Sequence, residues 1–132
     1  MGEGHRWVIM DDLVISFTDL GPSQDAVWHA FAKDLMTKGI NRYLATSLGA
    51  VQVNSVQRKI TADALKKRNI PTAAVTDDRL VRGLVTAVAW LGVNIKPFAW
   101  SELREAALFL KVPATKVDRI IEAAVRLRTS SG

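Results

Sequence analysis

The 132-residue chain contains no cysteine, which excludes disulfides, thiolate metal centres and a cysteine nucleophile together. Histidine is nearly as scarce. His5 and His29 are the only two, and neither has a ligand partner at a metal-binding spacing. His29 follows Asp25 by one helical turn, which can orient an imidazole. No nucleophile elbow accompanies the pair, so a solvated helix pair is the simpler reading. Gly39, Gly49, Gly83 and Gly92 are isolated, so there is neither a dinucleotide-binding GxGxxG nor a phosphate-cradling Walker loop. No apolar run reaches the ~18 residues of a membrane span. The opening MGEGHRW lacks the apolar core of a secretory signal, and Arg6 stands where a myristoylation signal needs Ser or Thr. The expectation is a cytoplasmic protein without cofactor, resident metal or catalysis.

What is present is ordinary globular material. Hydrophobic residues make up 48% and charged residues 23% of the chain, enough for one domain with a real core. Residues 1–5 and 129–132 are expected to fray. The net charge is +5, and a basic balance can attract nucleic acid, anionic lipid or an acidic protein surface. Lys66-Lys67-Arg68 and Arg58-Lys59 supply charge, but no aromatic residue stands beside them to stack a base. Arg126 and Arg128 end a helix, where cations complement the dipole. Nucleic acid is therefore not the expected partner.

Periodicity and turn residues order the elements as β-β-α-β-α-β-α-β-α-α. Residues 7–10 and 13–17, rich in Val, Ile and aromatics, read as strands around an Asp11-Asp12 turn, which suits a hairpin. Gly21-Pro22-Ser23 breaks the chain, with Ser23 as cap of a helix to Lys38 whose apolar face is Val27, Trp28, Phe31, Ala32 and Leu35; Gly39 ends it in a left-handed conformation. A strand at 43–47 precedes a second helix, opened by Asn54 and Gln57 as a capping box. Its thin apolar row is Val56, Ile60 and Ala64, with Leu65 off it. Later come a strand at 94–98, a short helix capped by Ser101 and a last helix from Pro113 to about Leu127. Strands alternating with helices predict an α/β fold: a mixed, mostly parallel five-stranded sheet with an N-terminal hairpin, covered by about five helices.

Residues 71–91, PTAAVTDDRLVRGLVTAVAWL, form the most sharply patterned stretch: a buried strand at 72–75, a polar turn and an amphipathic helix. Thr76 or Asp77 is the expected cap. At about 100° per residue, Leu80, Val81, Leu84, Val85, Ala87, Val88 and Leu91 share one side, expected to face the sheet. The other side carries Arg79, Arg82, Gly83, Thr86, Ala89 and Trp90. A tryptophan flanked by arginines has the composition of an interaction hot spot, and cover by the chain's own elements is the competing reading. The Asp77-Asp78 carboxylates stand at a strand end, where open α/β sheets bind ligands and a divalent ion could sit. Capping explains them more simply.

This pattern resembles the STAS-like family, the fold of bacterial anti-sigma-factor antagonists, in a divergent group bordering on CRAL-TRIO lipid-binding domains. The resemblance is carried by PTAAVT, the Asp-Asp-Arg helix start, the apolar helix with Trp90 and VNIKPFAWSELREAALFL; the N-terminal half agrees in element order. It implies a non-catalytic regulatory or scaffold module that binds protein partners, such as a kinase-like regulator, or associates with itself. Signalling members are phosphorylated at the start of the second helix within an Asp-Ser-Ser/Thr-Gly type motif. Here that place reads Val53-Asn54-Ser55-Val56-Gln57, so only Ser55 carries over, and the Asp and Gly are missing. A phosphate there would lie at a helix N-terminus near Arg58, although Ser55 as a first-turn residue is the simpler reading. The candidate interaction surface is thus Arg58 and Lys59 on the second helix, with Arg79, Arg82, Thr86 and Trp90 on the third. The CRAL-TRIO side of the resemblance implies an alternative, a small apolar ligand or lipid held between sheet and helices.

Overall fold

A computed structural model of the chain describes residues 4–19, 24–37, 39–49 and 54–129. Strands β1 (His5–Met10) and β2 (Leu13–Thr18) form the expected hairpin, with Asp11 left-handed at φ 56° in the turn. An acidic residue tolerates that conformation because its short side chain can bond locally. β1 begins two residues earlier than the apolar pattern indicated, and His5 is fully buried. Strands β3 (Arg42–Ser47), β4 (Thr72–Val75) and β5 (Ile95–Phe98) follow β2 in parallel, giving the order β1-β2-β3-β4-β5. The fold is the expected α/β architecture with a mixed five-stranded sheet.

Helices α1 (Asp25–Thr37) and α2 (Ser55–Arg68) cover one face of this sheet. Val14 and Tyr43 point to that side and meet Trp28, Phe31 and Leu35 of α1 and Ala64 and Leu65 of α2. Alternate residues, Leu13, Ile15, Phe17, Leu44, Ala73, Val75 and Phe98, point to the other face, as the two-residue period of a strand requires. There α4 (Leu103–Phe109) and α5 (Val117–Thr129) pack through Ala106, Ala107 and Ala124, all completely buried. Side chains this small let helix and sheet approach closely. Arg6, almost fully buried, ties this layer to the hairpin: it donates to Asp19 Oδ2 at 2.8 Å and to the Leu127 carbonyl at 3.0 Å.

Several expected local contacts are confirmed and others are moved. Asn54 and Gln57 form the expected capping box on α2, and Gly39 is left-handed at φ 69°. α2, however, buries Gln57, Ala64 and Leu65 and leaves Val56 57% exposed. The Gln57 amide donates to Asp25 Oδ1 at 2.7 Å, and Leu65 joins Ala64 in the core against α1 and the sheet. Ser101 is not a cap: a 3₁₀ turn, Trp100–Glu102, precedes α4, and Glu102 Oε1 accepts from the Ala99 N–H at 2.8 Å. The expected break and cap at 21–23 and the helix end at Lys38 lie outside the described residues, as do 1–3 and 130–132 of the residues expected to fray; His5 is instead a buried strand residue and Thr129 ends α5.

Candidate interaction surface

Helix α3 (Arg79–Trp90) connects β4 to β5 and lies against β5, the last strand of the sheet. Its start is held by side-chain hydrogen bonds. Asp78, rather than Thr76 or Asp77, is the cap, its Oδ1 accepting from the N–H groups of Leu80 at 2.9 Å and Val81 at 3.1 Å. Thr76 Oγ1 accepts from the Asp78 N–H, and Asp77 Oδ1 accepts from the Trp100 N–H at 2.9 Å. Both carboxylates are thereby occupied with backbone donors. The strand order also never reverses, so the Thr76-Asp77-Asp78 corner is not the diverging crevice at which open α/β sheets hold ligands. Among the described residues no cluster of three metal-ligating side chains occurs.

The apolar side of α3 overturns the expectation that it covers the sheet. The helix contains no buried residue. Leu80 is 82% exposed, Leu84 66%, Leu91 73% and Val88 37%. What turns inward is the neighbouring arc of Val81, Arg82, Val85 and Ala89, each only partly covered. The reason is positional. The sheet stops at β5, α1 and α2 occupy the neighbouring part of their face, and α4 and α5 pack on the opposite one. Among the described residues nothing lies beyond α3 to receive its leucines.

The residues singled out from sequence fall into separate places. Trp90 is 85% exposed, so it is not covered by the described parts of the chain. Arg79 and Thr86 are exposed and Arg82 is half-buried. Neither arginine has an ion-pair partner among the described residues; Thr86 Oγ1 donates back to the Arg82 carbonyl at 3.1 Å. Ser55, Arg58 and Lys59 are exposed on the first turns of α2, with Lys59 paired to Asp63 at 3.4 Å. α2 packs on α1. Its C-terminal turn comes near the end of α3, where a Cβ on Gly92 would lie 3.9 Å from Lys66 Cε. Ser55 is thus at the far end of α2 from that contact. Asn54 Nδ2 beside it donates to Asp25 Oδ1 at 3.3 Å, so a carboxylate faces the place where a phosphate would go.

No protein-family model matches this chain, and no curated protein or solved structure matches it either. The surface must therefore be read from its own chemistry. Two concavities lie elsewhere. A cleft of ≈ 410 Å³ at the Asp11-Asp12 turn is lined by Arg42, Lys116 and Arg119 as well as those acids, but Arg42 pairs with Asp12 at 2.8 Å and Lys116 with Asp11 at 2.7 Å. The Lys116 hydrogen bond and charge hold the Asp11 carboxyl below its ordinary range. Those charges are largely spent on each other. A second, shallow groove of ≈ 430 Å³ between α1 and α2 takes in His29, Met36 and Ile60 and lies on the outer side of the helix pair. His29 stands exposed there, and Asp25 is engaged by Gln57 instead of orienting it.

The leucines of α3 are the site residues that sequence reasoning assigned to the wrong environment. Their spacing is identical for a helix that buries its stripe at home and one that presents it. The one signal that bears on the choice is position in the chain: α3 is the last crossover helix before the final strand.

Proposed function

We propose that this chain is a non-catalytic regulatory or scaffold module that works by protein–protein contact, with α3 as the contact element. The observation that carries this reading is the exposed apolar face of α3. Leu80, Leu84, Val88, Leu91 and Trp90 together present roughly 600 Å² of largely apolar surface, the upper end of what a soluble monomer ordinarily leaves uncovered. Arginines at its margin, with an aromatic anchor, fit the composition of binding hot spots. The STAS-like resemblance implies a module of the same kind. Ser55 is exposed at the opposite end of α2 with Arg58 one turn on, but the Asp25 carboxylate at that helix start opposes a phosphate, so a phospho-switch is not part of this proposal. The apolar-ligand reading draws on the resemblance alone.

The test is affinity capture by the purified chain and by a Leu84→Glu/Trp90→Ala variant, with a circular-dichroism melt of each. Loss of the captured protein at an unchanged melt is the expected result. Undiminished capture by a variant that melts like the parent would overturn the assignment of α3.

A further inference from the structure

We infer that the protein seated on α3 is a second copy of this chain, packed antiparallel to the first about a two-fold axis. This rests on the reading of α3 as the contact element and names the partner. The exposed stripe is Leu80, Leu84, Ala87 and Leu91, with successive steps of four, three and four residues. That is the alternation of a helix–helix seam. It also reads the same in both directions, which suits a two-fold contact, where residue i meeting j of the second copy is matched by j meeting i. Antiparallel pairing sets Leu80 against Leu91 of the second copy and Leu84 against Ala87 of the second copy. The centre of the seam then alternates large and small, so the helices can close together without colliding leucines.

The flank fits the same arrangement. Arg79, Gly83 and Trp90 lie on one side of the stripe, at about 100° per residue. Reversing one helix brings Trp90 alongside Arg79 and Gly83 of the other copy. A Cβ at Gly83 would meet nothing within 4 Å, which leaves room for an indole, and an arginine beside that ring adds a cation–π contact. The seam itself carries no charge, and α3 contains no acidic residue, so the like-charged arginines stay at the rim. The exposed patch of roughly 600 Å² is the most the contact can bury on each side, short of the about 800 Å² of a standard interface, so the dimer is a modest one. Self-association on the order of micromolar is expected, since area alone sets no higher affinity. Pairing through the free edge of β5 is disfavoured, because Pro97 has no N–H to offer and Lys96 is charged.

Sedimentation velocity of the full chain over about 1 to 200 µM, spanning the expected midpoint, should show a shift from 14.5 kDa towards twice that mass. Leu84→Glu should abolish the shift and leave the melt unchanged, since Leu84 is already 66% exposed. Geometry is tested by cross-linking. The chain has no cysteine of its own, so Leu80→Cys/Leu91→Cys should form an interchain disulfide on mild oxidation. Either single variant should not, because like positions then stand roughly 16 Å apart along the axis. A parent chain that stays monomeric throughout, or a double variant that links no faster than the singles, overturns the inference. If the monomeric chain still captures a different protein and Leu84→Glu loses it, the proposed function stands and only the second copy falls. If the monomer instead binds phosphatidylserine vesicles and Leu84→Glu does not, both fall.

Discussion

The imidazole of His5 lies stacked on the indole of Trp28, with ring centroids 4.1 Å apart and planes 23° apart. Phe31 meets the same imidazole edge-on at 4.5 Å, and its Nδ1 is 2.9 Å from Thr18 Oγ1. Among the described residues Nε2 has no hydrogen-bond partner. Burial, helped by the Arg6 charge, pulls the His5 pKa from 6.5 down to about 3. The residue is therefore neutral in the folded protein at every ordinary pH.

A pH dependence of stability follows. The unfolded chain takes up a proton on His5 near its ordinary pKa of 6.5, whereas the folded chain resists until about 3. Stability contributed by the neutral imidazole is complete above 6.5 and is progressively lost as pH falls towards 3. At ~1.4 kcal/mol per pH unit, going from pH 7 to pH 5 should remove about 2 kcal/mol. Urea melts at both pH values measure this, and His5→Phe, which keeps a ring against Trp28, should flatten the difference. An unchanged slope in that variant would show that the dependence arises elsewhere.

Arg6 should resist conservative replacement. It is 5% exposed, lies 4.8 Å from the Phe17 ring centroid and spans Asp19 and the Leu127 carbonyl of α5. Arg6→Ala is expected to cost about 2 to 3 kcal/mol, the worth of hydrogen bonds to charged groups with the loss of packing. Arg6→Lys should recover only part of this, because one ammonium lacks the planar fork that reaches both partners. Denaturant midpoints at constant slope distinguish these outcomes.

Core and α3 should respond oppositely to truncation. Phe31, fully buried among His5, Trp7, Trp28 and Tyr43, should cost about 3 to 5 kcal/mol on replacement by Ala. Leu80→Ala and Leu84→Ala should each change the stability of the isolated chain by no more than about 0.5 kcal/mol at nanomolar concentration. A loss of several kcal/mol at either leucine would place it in the core after all.

The caps offer a finer test. Asp78→Ala removes the side-chain acceptor for two N–H groups of α3 and should cost about 1 kcal/mol. Asp77→Ala leaves those bonds intact and frees the Trp100 N–H, so the protection of Trp100 against hydrogen exchange should fall while that of the α3 start persists.

The sequence makes the elements and their order legible. Local physics suffices there: the Val-, Ile- and aromatic-rich run of 13–17, the Asn54–Gln57 capping box, the 3.6-residue periodicity of 79–91 and the glycine after α1 are short-range signals. It also determined the parallel arrangement, since crossover helices between strands leave few alternatives. Tertiary structure decided what the stripes face. The buried Gln57 amide is held by Asp25, 32 residues away in the chain, Leu65 packs with α1 and the sheet, and His5 is buried against Trp28 and Thr18. Above all, the exposure of Leu80, Leu84 and Leu91 follows from α3 lying over the last strand of the sheet. Periodicity reports that a helix has an apolar side; only the three-dimensional neighbourhood determines whether the same chain covers it.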